Sequence, residues 1–320
     1  MKKTNIALGL IGFVGLILTS CSGSSTFDSS KAISKYSREA GSGTRECFFE
    51  GIGYKDVAKE DKWVDGVEVS LISANADMMS KVAGDEYALG YCSLDGLKGN
   101  DTVKAVTFEG IVASNETVVS GDYKLNRNFN YVVRDYSSAT DTDSKNKEQV
   151  VKAFLEFLET SEGKTTIASK GGILASTSSS TKFDDIVSKY PVLSSTDAVE
   201  LRTCGSTSVE KVVKALNEKF LSLIKNTNIK IEMNQTGSGD AVKGVTEGKN
   251  GVNSDFGYLS REISASELEL LTDKNSKGTM CKDAVVVIVN NANTVCEDVS
   301  ATTLASIYKG EIKTWAELAK

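Results

Sequence analysis

The sequence predicts an α/β fold with two lobes, and three observations lead to this prediction. The chain has 320 residues, which is more than one hydrophobic core usually organises. Short apolar runs such as FNYVV at 129–133 and VVVIV at 285–289 are typical of buried strands. They alternate with amphipathic helical patterns, of which 148–168 and 208–224 are the clearest. Such alternation indicates layers of helices packed on sheets.

The first twenty residues have the layout of an export signal. Two lysines precede an apolar run at 6–18, and small polar residues follow, so residues 1–20 are predicted to be a signal peptide. The stretch LTSC, ending at Cys21, resembles the bacterial lipobox, in which the cysteine is lipidated. We therefore expect a lipoprotein anchored through Cys21, with 21–30 as a polar tether. The alternative is a plain signal peptide with an incidental cysteine.

The overall charge excludes one class of partner. The net charge is −6, and removal of residues 1–20, which hold two lysines and no acidic residue, makes it more negative. Nucleic-acid binding requires clustered lysine and arginine, so we expect no nucleic-acid partner. A small buried anion is still possible, because a local set of amides and one arginine can override the distant field.

Histidine is absent from the sequence, which removes Ser–His–Asp and Cys–His catalysis and the commonest metal ligand. Five cysteines follow Cys21 without CxxC spacing. We interpret them as small buried hydrophobic residues, with one disulfide possible after export. The sequence thus predicts no enzyme, no cofactor and no metal.

Three loops share a composition suited to holding an anion. GSGT at 41–44, GSTS at 205–208 and GSG at 237–239 each precede a helical pattern. Free backbone N–H groups and the positive end of the helix dipole coincide at such places. Each loop alone is also explained as an ordinary helix cap. Because there are three, and Arg38 precedes the first, the set favours a site that holds an anion. None matches GxxxxGK[ST], so the lysine of nucleotide hydrolases is missing.

Several segments together identify a family resemblance. They are SREAGSGTRECFFE, YALGYCSLDGL, YKLNR, GSTSVEKV, QTGSGDAVKGV, DFGYLSRE, AVVVIVNNANTV and IYKGEIKTWAEL. In combination they resemble the PstS-type phosphate-binding proteins of ABC transporters, from about residue 31 to the end of the chain. The resemblance implies a periplasmic-binding-protein type II fold, with two α/β lobes joined by two crossing strands and the ligand in the cleft between them.

The order of these segments differs from the order usual in the family, in which the REAGSGTR segment follows the others. The sequence therefore resembles a circularly permuted member. The Ser/Thr-rich stretch 176–198, interpreted as a surface connection, would join the old ends. Permutation is physically reasonable because the termini of compact domains are often close together on the surface.

The resemblance also implies the division of the chain. The crossings are expected near 129–134 and 285–289. One lobe would comprise 31–130 together with 288–320, and the other would comprise 131–287.

Ligand contacts are carried over only to positions that match the family's motifs. They are Arg38, Ser42, Gly43 and Thr44 in one lobe, and Thr207, Ser208, Ser238 and Ser260 in the other. Arg38 would supply a charged fork to two oxygens, and the others would be neutral donors. Arg45 is expected to be a surface or interlobe salt-bridge partner.

One departure from the family concerns specificity. Some members have an aspartate where Ser260 stands, and it accepts the proton of a protonated phosphate. Here Ser260 itself would accept that hydrogen bond, or Glu39 or Glu262 would take over. A carboxylate at such a place repels fully ionised sulfate.

The predicted function is that of a lipid-anchored extracytoplasmic receptor that captures inorganic phosphate. It would deliver the ion to the permease subunits of an ABC importer and catalyse nothing itself. Two alternatives stay open. One is a binding protein for another oxyanion, such as sulfate, molybdate or a phosphorylated metabolite. The other is a surface structural or adhesion protein that retains the fold.

Overall fold

The computed structural model describes residues 27–247, 253–272 and 277–319. The predicted signal peptide and Cys21 lie outside these residues. The last part of the predicted tether is described, and it packs on the fold. The ring of Phe27 lies 5.3 Å from that of Tyr87 and 6.0 Å from that of Trp315, measured between centroids. At least the end of the 21–30 segment is therefore not a free linker.

The described strands are β1 (Ser34–Arg38), β2 (Ser70–Ile72), β3 (Ala88–Ser93), β4 (Val103–Phe108), β5 (Asn126–Val133), β6 (Val199–Gly205), β7 (Ile229–Asn234), β8 (Phe256–Leu259), β9 (Lys277–Asn290) and β10 (Asp298–Val299). The described α-helices are α1 (Gly43–Gly51), α2 (Asn75–Gly84), α3 (Asn115–Ser120), α4 (Thr142–Leu158), α5 (Ser161–Ser169), α6 (Phe183–Lys189), α7 (Glu210–Leu223), α8 (Ala241–Thr246), α9 (Ala265–Leu268) and α10 (Ala301–Tyr308). Short 3₁₀ turns at Thr207–Val209 and Ser238–Asp240 precede α7 and α8. The order confirms the predicted alternation of strands and helices.

One continuous path of strands runs through the molecule, in the order β2-β1-β3-β9-β5-β8-β6-β7. The long strand β9 joins its two halves. Up to Ala284 it pairs antiparallel with β5, and from Val285 onward it pairs with β3 and β4. The parallel pairs β1–β3 and β6–β8 flank this centre. The apolar run 285–289 is buried on both faces, as its sequence predicts.

We call the part built on β1–β4, β10 and the second half of β9 the first lobe, and the part built on β5–β8 and the first half of β9 the second lobe. Each has its own large hydrophobic core. Phe48, Tyr91 and Trp315 lie in the first core, whereas Phe154 and Phe220 lie in the second. The lobe boundaries expected from the sequence stay a prediction. The partners of β9 change between Ala284 and Val285, slightly before the expected crossing.

Two predictions for the second lobe need correction. The pattern at 148–168 belongs to two helices rather than one, because Thr160 interrupts it. The Thr160 hydroxyl accepts a hydrogen bond from Gly163 N and caps α5. The stretch 176–198 is not only a surface connection, since it contains α6, whose Phe183 and Ile186 are buried in the core. Apolar residues three apart place one face of this short helix inward.

The two ends of the described chain lie side by side. Ile33 N donates to Lys313 O at 2.8 Å, and Ala316 N donates to Ser29 O at 2.7 Å. This proximity agrees with the physical argument for permutation. The permuted order itself stays a prediction.

The five described cysteines are free, and four of them are buried. The interpretation as small buried hydrophobic residues is confirmed for Cys92, Cys204, Cys281 and Cys296, whereas Cys47 is half-buried. None of the helices in the described ranges combines the length and the hydropathy that a bilayer crossing needs.

Candidate functional site

A cavity of about 290 Å³ lies between the lobes, where the three glycine-serine loops meet. Its wall comprises Arg38, Glu39, Ala40, Gly41, Ser42, Ser73, Thr207, Thr236, Gly237, Gly239 and Asp240. Four sequence-predicted residues are therefore in the wall: Arg38, Glu39, Ser42 and Thr207. Five of the other predicted residues, Gly43, Thr44, Ser208, Ser238 and Ser260, lie at the contact between the lobes that adjoins this cavity.

Arg38 ends β1 and is only 3% exposed. Its guanidinium is held by the segment from the end of β2 to the start of α2. Nε donates to Ile72 O at 3.1 Å, Nη2 to Ser73 O at 2.6 Å and Nη1 to Asn75 Oδ1 at 3.0 Å. A guanidinium has five N–H groups, so one remains on each terminal nitrogen. The two remaining N–H groups can form a fork for a planar or tetrahedral oxyanion.

Arg38 carries its charge without a matching acid. Among the described residues, no carboxylate lies within ion-pair distance of its guanidinium, and the three acceptors that hold it are neutral. Burial lowers the pKa of Arg38, yet an arginine stays protonated at neutral pH. Glu39 and Asp77 act on this charge from a distance without forming an ion pair with it. A buried cation without an ion-pair partner is costly, so the site is electrostatically suited to an anionic ligand.

The N-terminus of α1 faces the same place. Its N-cap residue Ser42 makes no capping hydrogen bond, and the buried Ser42 Oγ has no hydrogen-bond partner among the described residues. The first-turn N–H groups of Gly43, Thr44 and Arg45 have no acceptor within the helix. A buried hydroxyl and free amides together make a set of unused hydrogen-bonding groups at the positive end of a helix dipole.

Gly43 lies directly against the opposite lobe. A Cβ built at this position would overlap Ser260 Oγ and stand 3.0 Å from Ser238 Oγ. Ser238 and Ser260 are fully buried, and Ser260 N donates to Ser238 Oγ at 3.1 Å. Glycine fits here because the two serine hydroxyls, and Ser260 O at 3.1 Å from a Cβ position, leave no room for a side chain.

Two further predicted residues meet across the cleft. Thr44 Oγ1 and Ser208 Oγ lie 2.9 Å apart in a hydrogen bond between the lobes. Thr207, the neighbour of Ser208, is exposed toward the cavity. The structure thus brings together Arg38, Ser42, Gly43, Thr44, Thr207, Ser208, Ser238 and Ser260.

Ser206 is a site residue that sequence reasoning missed. It is buried, donates from its hydroxyl to Ser260 Oγ at 2.8 Å, and accepts from Ser208 N at 3.1 Å. It therefore links the loop before α7 to the serine of the SRE segment. The signal was present, because Ser206 belongs to the same GSTS loop as the predicted residues.

The two carboxylates considered as proton acceptors, Glu39 and Glu262, lie in different places. Glu39 is exposed and lines the cavity. Glu262 accepts from Asn128 Nδ2 at 2.8 Å and lines a separate groove. The structure therefore brings only Glu39 to the cleft. Asp240, which was not expected, is the other acidic residue of the cavity wall and accepts a hydrogen bond from Thr236 Oγ1.

Arg45 is a salt-bridge partner, as expected, but the expected location at the surface or between the lobes was wrong. Arg45 is fully buried in the first lobe, and its Nη1 lies 2.6 Å from Asp61 Oδ1. Its guanidinium also donates to Val57 O and Glu60 O and lies 5.0 Å from the ring centroid of Trp63. Helix α1 turns this side chain inward. Its salt bridge therefore lies within the first lobe, where Arg45 anchors the loop after α1.

The donors at the site are hydroxyls, amides and a guanidinium. Groups of three or more acidic or cysteine side chains arranged for a metal ion do not occur in the described part of the chain. Such a donor set is suited to replacing the hydration shell of an oxyanion.

Comparison with known proteins agrees with this chemistry. A family model described as a PBP superfamily domain matches residues 175–320. The phosphate-binding protein PstS 2 of Streptococcus pneumoniae serotype 4 is 30% identical over 323 residues, which are 99% of each chain. This chain belongs to the PstS family of phosphate-binding proteins. The family resemblance read from the motifs is therefore confirmed.

Two further relatives extend the comparison. PstS 2 of Streptococcus agalactiae serotype V is 29% identical over 326 residues, covering all of both chains. A crystal structure of the phosphate-binding protein of a phosphate ABC transporter from S. pneumoniae matches with a TM-score of 0.65 and 28% identity. That match covers 90% of this chain and 99% of the other. The fold is thus that of a PstS-like periplasmic binding protein.

The alignment bears on the order of the segments. Because it covers all of both chains, this member and its S. agalactiae relative share one segment order. The order is therefore not peculiar to this PstS-family chain.

Proposed function

We propose that this chain captures inorganic phosphate in the cleft between its lobes and delivers it to an ABC importer. The observation that carries the proposal is Arg38, a buried cation that has no acidic partner among the described residues and lies in the wall of the cavity. Two of its N–H groups remain for the ligand. The PstS family membership and the S. pneumoniae structure, titled as the binding protein of a phosphate ABC transporter, support the same ligand.

In this proposal the ligand is bound from both lobes. Arg38, Ser42 and the first-turn amides of Gly43 and Thr44 contribute from the first lobe. Thr207, Ser208, Ser238 and Ser260 contribute from the second. Hydroxyls and amides take over the hydrogen bonds of the ion's water shell, and Arg38 supplies charge. Closure of the lobes over the ion is the signal that the permease reads.

We further propose the cellular setting. Binding proteins of this kind act outside the cytoplasm. Lipidation at Cys21 would hold the chain at the membrane surface, beside the permease. The division into 31–130 with 288–320 and 131–287, and the permuted order, belong to the same proposal. We expect no catalysis, because the sequence has no histidine to act as a general base.

One observation bears on the choice between phosphate and sulfate. The group at the centre of the buried cluster is the Ser260 hydroxyl, which accepts from Ser206 Oγ and can also donate. A hydroxyl can accept a hydrogen bond from the P–OH group of hydrogen phosphate but does not repel sulfate as a carboxylate does. Glu39, at the cavity wall, is the carboxylate that we propose as the discriminating group.

Calorimetric titration of the full chain with phosphate and with sulfate, each at two pH values, tests these proposals. We expect phosphate to bind and sulfate to compete weakly. Equal affinities for phosphate and sulfate would show that the site binds oxyanions in general and does not select phosphate. If the titration with phosphate releases or absorbs no heat, and millimolar phosphate does not raise the melting temperature, the chain binds no phosphate. The structural or adhesion alternative would then be favoured.

A further inference from the structure

An ion pair crosses between the lobes beside the proposed site. Arg261 Nε of the second lobe lies 3.1 Å from Glu46 Oε2 of α1 in the first lobe. The Glu46 side chain is 6% exposed and that of Arg261 is 14% exposed. The Nε–H does not point straight at the carboxylate, so the contact is an ion pair rather than a well-directed hydrogen bond.

Arg261 is held in place by its own lobe. Its Nη1 and Nη2 form a fork on Glu267, with distances of 2.7 Å to Oε2 and 2.8 Å to Oε1. Glu267 in turn accepts from Ser264 N at 2.9 Å in a capping box at the start of α9. A planar bidentate pair is rigid, so Arg261 keeps its orientation whether or not the first lobe is near.

The two partners therefore depend on each other unequally. If Glu46 is lost, Arg261 still has Glu267. If Arg261 is lost, Glu46 has no ion-pair partner within 4 Å in the ranges that the structure describes. Burial raises the pKa of Glu46, and the charge of Arg261 opposes that rise. An unpartnered buried carboxylate is strongly unfavourable.

The position of the pair connects it to the ligand. Glu46 lies three residues after Gly43 on α1, and Arg261 follows Ser260 directly. Gly43 and Ser260 are among the residues at which the two lobes touch. A negative charge in the first turn of α1 would repel an anion bound at that helix N-terminus unless a cation neutralises it.

We propose that Arg261 is a positioning residue that determines ligand affinity by neutralising Glu46 as the lobes close. It acts through Glu46 and not through contact with the ligand. The inference rests on the proposed function, because affinity is read with phosphate. It goes beyond that function in assigning a role to an interlobe pair outside the cavity wall.

The test compares four variants of the full chain by phosphate calorimetry. We expect Arg261→Gln to weaken binding by at least about tenfold, because Glu46 is left charged and unpaired in the closed form. Glu46→Gln should bind within about threefold of the unmodified chain, since Arg261 retains Glu267. The double variant Glu46→Gln with Arg261→Gln should recover to the affinity of Glu46→Gln. Glu50→Gln, on the same helix and exposed, is the matched control and should leave affinity unchanged.

Rescue by the second substitution separates the positioning role from simple loss of structure. Arg261→Gln also loses the fork on Glu267, and that loss persists in the double variant. Unchanged affinity of Arg261→Gln, or failure of Glu46→Gln to restore it, overturns the inference.

A second measurement does not depend on the ligand. Hydrogen exchange of the α1 amides in phosphate-free protein should be faster in Arg261→Gln and return to normal in the double variant. If the unmodified chain binds no phosphate, the proposed function fails, and hydrogen exchange alone tests whether Arg261 neutralises Glu46 across the lobes. Equal exchange rates in all variants would then overturn this role of Arg261.

Discussion

Thr44 of the first lobe and Ser208 of the second lobe share a hydrogen bond of 2.9 Å between their hydroxyl oxygens. Thr44 is fully buried in the first turn of α1, and Ser208 lies in the 3₁₀ turn before α7, so both stand at helix N-termini beside the cleft. The bond joins residues that are 164 positions apart in the sequence. It marks the place where the two lobes meet around the proposed ligand.

Replacing Thr44 tests this contact. Thr44→Val keeps the shape of the side chain and removes the hydroxyl. We expect phosphate binding to weaken at least tenfold, about 1.4 kcal/mol, because a bond across the closed cleft is lost. Thr44→Ser keeps the hydroxyl and should bind nearly normally. Titration calorimetry measures both, and equal affinity of the valine variant would contradict the placement of Thr44.

Arg38 should matter more than any neutral donor. Arg38→Ala removes the buried charge, and Arg38→Lys keeps a charge but loses the fork. We expect both to bind phosphate at least about tenfold more weakly. Arg202→Ala, which removes an exposed arginine paired within the second lobe, should bind as the unmodified chain does. Normal binding by Arg38→Ala would refute the anion site.

Ser42 and Ser300 form a matched pair of N-cap serines. Ser42 makes no capping bond, whereas Ser300 Oγ accepts from Thr303 N at 3.1 Å. Ser300→Ala should therefore lower the free energy of unfolding by about 1 kcal/mol and leave phosphate affinity unchanged. Ser42→Ala should do the opposite: normal thermal stability with several-fold weaker binding. If Ser42→Ala destabilises the fold and binds normally, Ser42 is a structural residue.

Gly43 tests the closeness of the lobes. A Cβ at this position overlaps Ser260 Oγ, so Gly43→Ala should hinder closure and weaken phosphate binding while each lobe stays folded. Gly84, at the end of α2, has no atom within 4 Å of a Cβ and serves as the control. Gly84→Ala should bind normally. Melting curves alongside calorimetry detect any general loss of structure. Full affinity in Gly43→Ala would show that the lobes need not approach this closely.

The pH dependence of Arg261→Gln follows from Glu46. Burial raises the pKa of Glu46 in the closed form, where Lys59, Glu50 and Glu267 are the other charges that act on it. A group with a raised pKa takes up a proton more readily in the closed form, so lower pH favours closure. The affinity deficit of Arg261→Gln should therefore shrink as the pH is lowered. The ratio of its Kd to that of the unmodified chain cancels the ionisation of phosphate itself. A ratio that grows or stays constant in acid would contradict this assignment.

The sequence predicted the local features of the site well. Glycine, serine and threonine before a helical pattern indicate free amides at a helix N-terminus, and the three loops lie in that position. Short, largely apolar runs predicted strands within β5 and β9 for the same local reason. These inferences depend on neighbours in the chain, which a sequence displays directly.

Other assignments depended on the direction of a side chain and failed. Arg45 was expected at the surface or between the lobes, but α1 turns it into the first lobe toward Asp61. Glu262 was a candidate for the cleft, but it points to Asn128 in another groove. Adjacent residues in a helix or a loop can face opposite sides, and composition does not record which side each one faces.

The sequence by itself determined the α/β class, the three donor-rich loops and the motifs that identify the PstS family. Tertiary structure decided how these pieces meet: that Arg38 is held by neutral acceptors, that Gly43 touches Ser260, and that Arg261 reaches Glu46. The physical reason is distance along the chain. Helix caps and strand patterns arise within a few residues, whereas a cleft is made by side chains of separate lobes whose pairing only the packed fold specifies.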